Sequence, residues 1–238
     1  MKLNIINKVY MLIGAALIIG TVFRVLRHKP WDTYYYFSSV SVPETFPVAI
    51  REAYFLLPNN DYAIISKEEA ENFTSSWGDE YYSARVNDPQ RIPEQLVLQY
   101  VSYRDQKFYS DTIKMPVKEV RQIFKTAAEQ NKMEEISTSN GEKKGLRFVL
   151  GIANSGNIII WLRGKHFEKA IVKTKIKSHV PQGDDTFYEK RLPVSEYLEH
   201  AFERLPDSTK NLLKNGFDSG ANYIDTPSRY VEKQRNMD

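Results

Sequence analysis

The apolar positions of the chain fall first into one unbroken block. Residues 9–23 (VYMLIGAALIIGTVF) carry no charge, and the run extends to Leu26 with Arg24 as its one interruption. A spanning helix needs about 20 apolar residues, whereas a signal peptide has a core of about 7–15 followed by a small-residue cleavage site. Gly14-Ala15-Ala16 is the one good small-x-small pattern, and cleavage there would leave only residues 9–13 as the core. The pattern therefore predicts an uncleaved signal anchor over residues 1–30. Residues 9–26 would sit in the membrane, with Arg24 reaching toward the interface. Basic residues flank both ends, so charge does not orient the helix.

Beyond the anchor the pattern changes to alternation. Residues 31–42 (WDTYYYFSSVSV) read as a strand with Trp31, Thr33, Tyr35 and Phe37 on one face. Residues 48–57 read as a second strand, with Val48, Ile50, Tyr54 and Leu56 alternating against Ala49, Arg51, Ala53 and Phe55, and Pro58 ending it. Residues 59–92 are polar and irregular. A short helix is expected at 66–73, with Ser66 as N-cap and Glu69 completing a capping box. Residues 94–103 and 107–115 form a strand pair joined by a turn at Arg104, Asp105 and Gln106.

Residues 116–130 switch to helical spacing. Val117, Val120, Ile123, Phe124, Ala127 and Ala128 share one face, and Pro116 opens the helix. Residues 131–144 are expected to be a polar loop. Residues 146–153 and 157–163 form the strongest hairpin, turning at Asn154-Ser155-Gly156. Both faces of that hairpin are apolar, which implies a covered strand pair with Trp161 in the core. Residues 169–180 alternate with lysines at 169, 173, 175 and 177, as at a sheet edge. Helices are expected at 194–205 and 207–215, the second capped by Asp207 and stopped by Gly216. The tail from Asp218 reads as weakly ordered. The fold class is α+β: a membrane helix, then a single domain over 31–238. That domain is β-rich and mostly antiparallel, with one packed helix and short C-terminal helices.

Composition narrows the function classes. Hydrophobic residues make up 42% and charged residues 26%, an ordinary globular mix. The absence of cysteine removes disulfides, lipidation at an N-terminal Cys, Cys-ligated zinc and a Cys nucleophile. Five of the 33 basic residues (Lys2, Lys8, Arg24, Arg27 and Lys29) lie in residues 1–30, which hold no acidic residue. The remainder is therefore slightly acidic, 28 basic against 30 acidic, so no nucleic-acid footprint is expected.

No P-loop, G-x-G-x-x-G, G-x-S-x-G or H-E-x-x-H pattern occurs. His166, His179 and His200 are scattered and read as surface or strand-end residues. Glu134-Glu135 and Asp184-Asp185 read as solvated loop charge. No catalytic residue, metal or cofactor is assigned. Two patches are candidates for partner binding. One is the loop carrying Trp77, Tyr81 and Tyr82, because aromatics in irregular segments anchor interfaces; packing within the loop is the alternative. The other is the stripe Lys173, Lys175 and Lys177, suited to an acidic protein or anionic lipid; edge protection is the alternative.

One further reading comes from resemblance. Pro30-Trp31, Phe46-Pro47-Val48, Tyr100-Val101-Ser102-Tyr103, Phe108-Tyr109 and Lys114-Met115-Pro116 occur in order. They precede Leu150-Gly151-Ile152-Ala153-x-x-Gly156-x-x-x-x-Trp161-Leu162-x-Gly164. This succession, over roughly residues 30–180, resembles the bacterial domain-of-unknown-function 2931 family. The resemblance implies an exported envelope protein. It also implies, as for members encoded beside type VI secretion effectors such as lipases, an immunity protein that neutralises a secreted effector by contact. The membrane helix would replace the lipid anchor of the Cys-bearing members. Orientation toward the periplasm from the bacterial inner membrane is likewise implied by the resemblance. An envelope carrier of lipid or another apolar ligand is the alternative. A hydrolase using one of the three domain histidines is the third.

Overall fold

A computed structural model of the chain describes residues 4–28, 32–81 and 88–236. It divides into two compact units, Met1–Thr33 and Tyr34–Asp238. Trp31, placed above in the first strand, lies outside the described residues.

In the first unit, α1 (Ile5–His28) is a helix of 24 residues. Its apolar stretch Ile5–Leu26 has a mean hydropathy of 2.1, and none of the stretch is buried. At 1.5 Å per residue the helix is about 36 Å long, enough to cross a hydrocarbon core of about 30 Å. Thr21 Oγ1 donates to the Leu17 carbonyl at 2.8 Å, which satisfies its hydroxyl within the helix.

The second unit is built from β1 (Tyr36–Ser41), β2 (Val48–Leu57), β3 (Asp61–Ile64), α2 (Glu68–Glu71), β4 (Gln95–Ser102), β5 (Phe108–Lys114) and α3 (Val117–Glu129). It continues with β6 (Glu134–Thr138), β7 (Gly141–Ile152), β8 (Asn157–Gly164), β9 (Phe167–Lys175), β10 (Ser178–His179), β11 (Phe187–Tyr188) and β12 (Lys190–Arg191). The last elements are α4 (Val194–Ala201), α5 (Asp207–Lys214) and α6 (Tyr230–Arg235).

Strands β11 and β12 pair with each other, and the other ten form two five-stranded sheets. One runs β1-β7-β8-β9, with β6 also paired to β7; the other runs β10-β5-β4-β2-β3. All of these pairs are antiparallel except β1 with β7, which is parallel. The expected α+β architecture is present, with two facing sheets. The sheets are joined along both sides. On one, the chain passes from β9 into β10 and so from the first sheet to the second. On the other, Ser66 bridges β1: its N–H donates to Ser38 O (2.9 Å) and its carbonyl accepts from Val40 N (3.0 Å).

The main core lies between the sheets. Leu146, Phe148, Leu150 and Ile152 face Phe55, Leu96 and Leu98 across it. Phe148 meets Tyr36 (5.1 Å between centroids) and Phe55 (5.3 Å) edge to face. Helix α3 buries Val120, Phe124 and Ala127 in this core, while Ile123 is only partly buried.

Several expectations needed correction. In β2 the alternation breaks at a bulge between Ile50 and Glu52, so the buried series runs Val48, Ile50, then Ala53, Phe55, Leu57. Ser66 does not cap a helix; α2 is a single turn whose N-cap, Lys67, makes no side-chain cap bond. The expected loop at 131–144 contains β6 and the start of β7, paired from Glu134↔Gly145 to Thr138↔Gly141. Asp207 is the first residue of α5, and Pro206 at the N-cap position makes no side-chain cap bond. Gly216 does end that helix, at φ +78°.

The tail is ordered over residues 218–236. Through Ile224 it packs on Val149, Ile159 and Trp161, the outer face of the β7–β8 pair. Trp161 is therefore buried, but beneath this tail rather than between the sheets. Gly151 makes room for it, because a Cβ there would lie 2.6 Å from both Ile159 and the Trp161 ring. The outer face of the second sheet is covered by α4, whose Tyr197 and Leu198 pack with Phe202 and Leu205 on Val101 and Phe108.

Candidate functional site

The Trp77 loop lies over the outer face of the first sheet. Trp77 meets Trp161 at 5.1 Å and Tyr223 of the tail at 5.6 Å, both edge to face, and its Nε1 donates to Thr226 O at 3.0 Å. Tyr81 donates its hydroxyl to Thr74 O (2.9 Å) and accepts from Ser76 N (3.2 Å). These contacts put Trp77 and Tyr81 to use in packing the loop and tail. Tyr82 lies outside the described residues.

Beneath this loop is a charged cluster that sequence reading missed. Arg163, on β8, is fully buried. Its Nε donates to Glu168 Oε2 (2.7 Å), its Nη2 to Gly78 O (2.9 Å), and its Nη1 lies 3.5 Å from Glu80 Oε2. The guanidinium also stacks over Tyr230 (4.5 Å) and lies 5.3 Å from the Trp161 ring. Arg147, on β7, pairs with Glu80 and with Glu134 (2.6 Å), and Glu134 accepts from Tyr230 and Gln234. Burial lowers the Arg147 pKa, but Glu80 and Glu134 outweigh it and hold the value above the ordinary one. Burial, with Glu80 and Glu134, pushes the Tyr230 hydroxyl up. Glu134 is thus part of this cluster and not solvated loop charge. The partners come from β6, β7, β8, β9, the Trp77 loop and α6, which ties the tail to the sheet.

The lysine strand is split by a bulge. The register of β8 with β9 shifts between Ile160 and Trp161, leaving Ile171 unpaired and buried. Lys169 consequently pairs opposite Leu162 and reaches Glu119 of α3 (2.7 Å), on the main-core side. Lys173 pairs opposite Ile159 and reaches Asp225 of the tail (2.5 Å), on the other side. Lys175 and Lys177 are exposed. The single stripe read from alternation therefore belongs to two faces, although β9 is the edge of its sheet as expected.

Of the three domain histidines, His179 has a carboxylate partner: its Nε2 is 2.9 Å from Asp185 Oδ2. Asp185 is buried, contrary to its reading as solvated, and also accepts from Gln182 N (2.8 Å) and Gln99 Nε2 (2.6 Å). Burial alone would raise the Asp185 carboxyl; the Gln182 amide, His179 and Gln99 together hold it below the ordinary value. A carboxyl depressed by folding stabilises the fold above its unfolded pKa, near 3.9, and that contribution disappears as pH falls through the folded value. Asp185→Asn should therefore cost about 2 kcal/mol at pH 7. The gap to the wild-type chain should close as urea titrations are moved from about pH 5 to below about pH 3. A gap independent of pH would show that the carboxylate charge is not involved.

A concavity of about 530 Å³ opens beside the β2 bulge, lined by Arg51, Arg204, Tyr188, Tyr197 and His200 among others. Tyr188 stacks on His200 with ring centroids 5.0 Å apart. A second groove, of about 350 Å³, lies between α3 and β9, with Ile123, Ala127 and Phe167 among its lining residues. Among the described residues, no group of three or more His, Cys, Asp or Glu side chains is arranged to hold a metal ion.

A family model, described as a protein of unknown function (DUF2931), matches residues 27–218. The chain belongs to the DUF2931 family. The match takes in both sheets and extends through α4 and α5, well past the residues that carried the resemblance. The tail segment Tyr223–Asp225 and α6 lie beyond it. No curated protein and no solved structure matches the chain.

Proposed function

We propose that this DUF2931 protein is a membrane-tethered binding protein: an immunity protein that neutralises a secreted effector by direct contact. Its domain would face the periplasm from the inner membrane. The observation carrying the tether is α1, whose apolar stretch is long enough to cross a bilayer and is wholly unburied. Phe55, Leu96, Leu98, Phe148 and Leu150 fill the space between the sheets, which supports recognition at the surface over an internal lipid site. The pairing of His179 with Asp185 is used within the fold: both carboxylate oxygens already accept hydrogen bonds, which supports a binding role over a hydrolytic one. Of the residues singled out from sequence, Lys173, Lys175 and Lys177 are exposed, and Lys173 is already paired with Asp225.

Cells producing the full chain should survive the effector encoded beside its gene, delivered to the periplasm. Survival should fall to that of unprotected cells when residues 1–28 are deleted. A reporter fused after Asp238 should be active in the periplasm. Full protection without residues 1–28 would overturn the tether. Failure of the purified full chain to bind the effector would overturn the immunity reading.

A further inference from the structure

We propose that the concavity beside the β2 bulge receives an acidic peptide segment of a protein partner, with Arg51 and Arg204 holding its carboxylates. The proposal rests on the partner-binding reading above and gives that reading a surface. The bulge between Ile50 and Glu52 sets the backbone at Arg51 apart from the ladder, and bulges redirect side chains in this way. Lys67 braces the bulge, donating to Ile50 O (3.2 Å) and Arg51 O (3.4 Å). Arg51 spends little of its hydrogen-bonding capacity on the fold: its guanidinium makes one long contact, 3.4 Å, to Phe187 O, and its charge acts on the Tyr197 hydroxyl nearby. A guanidinium carries five donors, so a fork remains for a carboxylate.

Arg204 lines the same concavity, is exposed, and has no ion pair or hydrogen bond among the described residues. Of the two glutamates at the rim, Glu71 is neutralised by Lys67 at 2.7 Å. Two arginines therefore face one free carboxylate, Glu203. The walls supply apolar contact: Phe187 and Tyr188 remain about half exposed, and Tyr188 is held in place by its stack on His200. Rings beside guanidinium groups suit a segment that alternates acidic and apolar side chains. A concave floor admits a protruding peptide, whereas a planar lipid surface would touch only the rim.

The test uses the full chain in neutral detergent. The probes are a fluorescein-labelled peptide of alternating Asp and Leu and its Lys-Leu counterpart, followed by fluorescence anisotropy. The Asp-Leu peptide should bind, more weakly as salt is raised, and the Lys-Leu peptide should not. Arg204→Gln, at an exposed position, should weaken binding about tenfold, and Arg51→Gln similarly. Equal binding of both peptides would overturn the proposal, as would affinity unchanged in both variants. Arginine-dependent binding to phosphatidylglycerol vesicles without peptide binding would assign the concavity to a membrane surface instead. Undiminished effector binding by both variants would overturn the groove and leave the binding reading standing. Failure of the wild-type chain to bind effector would overturn that reading, while the peptide result would still decide the groove.

Discussion

Replacing Arg163 with alanine should destabilise the domain by about 3–5 kcal/mol, the cost of removing one partner from a buried ion pair. Glu168, about 16% exposed, would keep a largely desolvated carboxylate without its cation, and Glu80, about 15% exposed, would keep Arg147 alone. Gly78 O would lose its donor, and Tyr230 the guanidinium stacked on its ring. The effect should spread to the tail, because Glu168 also accepts from Ser228 (2.6 Å) and Gly78 closes against the Ser228 backbone. Urea titration of the full chain in detergent measures the loss. Hydrogen exchange should show amides of α6 and the Trp77 loop opening first. Adding Glu168→Gln to Arg163→Met should recover part of the loss, because it removes a stranded charge. A cost below about 1 kcal/mol for the alanine variant would mean that the cluster is solvated in solution.

This cluster also marks the limit of what the sequence reveals. Arg163 follows the run Ile158–Leu162, apolar on both faces of its strand, and nothing near it in sequence shows that Glu80 and Tyr230 will meet it. The tail shares that difficulty. Its apolar residues are sparse, so pattern suggests weak order, yet Ile224 packs on the outer sheet face, Tyr230 meets Arg163 there, and Tyr223 packs on Trp77, which covers Trp161. Strand β6 was missed because a strand can carry glutamates when an arginine and a tyrosine come to them, as Arg147 and Tyr230 come to Glu134.

Local pattern served well where burial is one-sided or a turn is short. The hairpin of β7 and β8, the pair β4–β5 and helix α3 were all legible for that reason. The bulges in β2 and β9 were not, because alternation carries no mark where the register slips by one residue. That slip decides the candidate sites: it separates Lys169 from Lys173, and it sets Arg51 apart beside the groove. For Trp77, the aromatic loop signal was present, but its first use is to cover Trp161.

Helix α3 offers the second large effect, and the structure divides two residues that periodicity treats alike. Phe124 is 1% exposed and packs against Tyr34 (4.7 Å) and Phe148 (6.3 Å) in the main core. Phe124→Ala should cost about 3–5 kcal/mol, the lost transfer energy plus a cavity among rings that cannot collapse into it. Ile123 shares the apolar stripe but lies one helical step, about 100°, away. It is partly buried and lines the groove between α3 and β9. Ile123→Ala should therefore cost about 1 kcal/mol, because its methyl groups already meet solvent and no closed cavity forms. Parallel urea titrations of the two full-length variants measure the difference. Equal losses near 3 kcal/mol would show that the groove is closed over Ile123 in solution; equal losses under about 1 kcal/mol would show that α3 does not pack on the sheets.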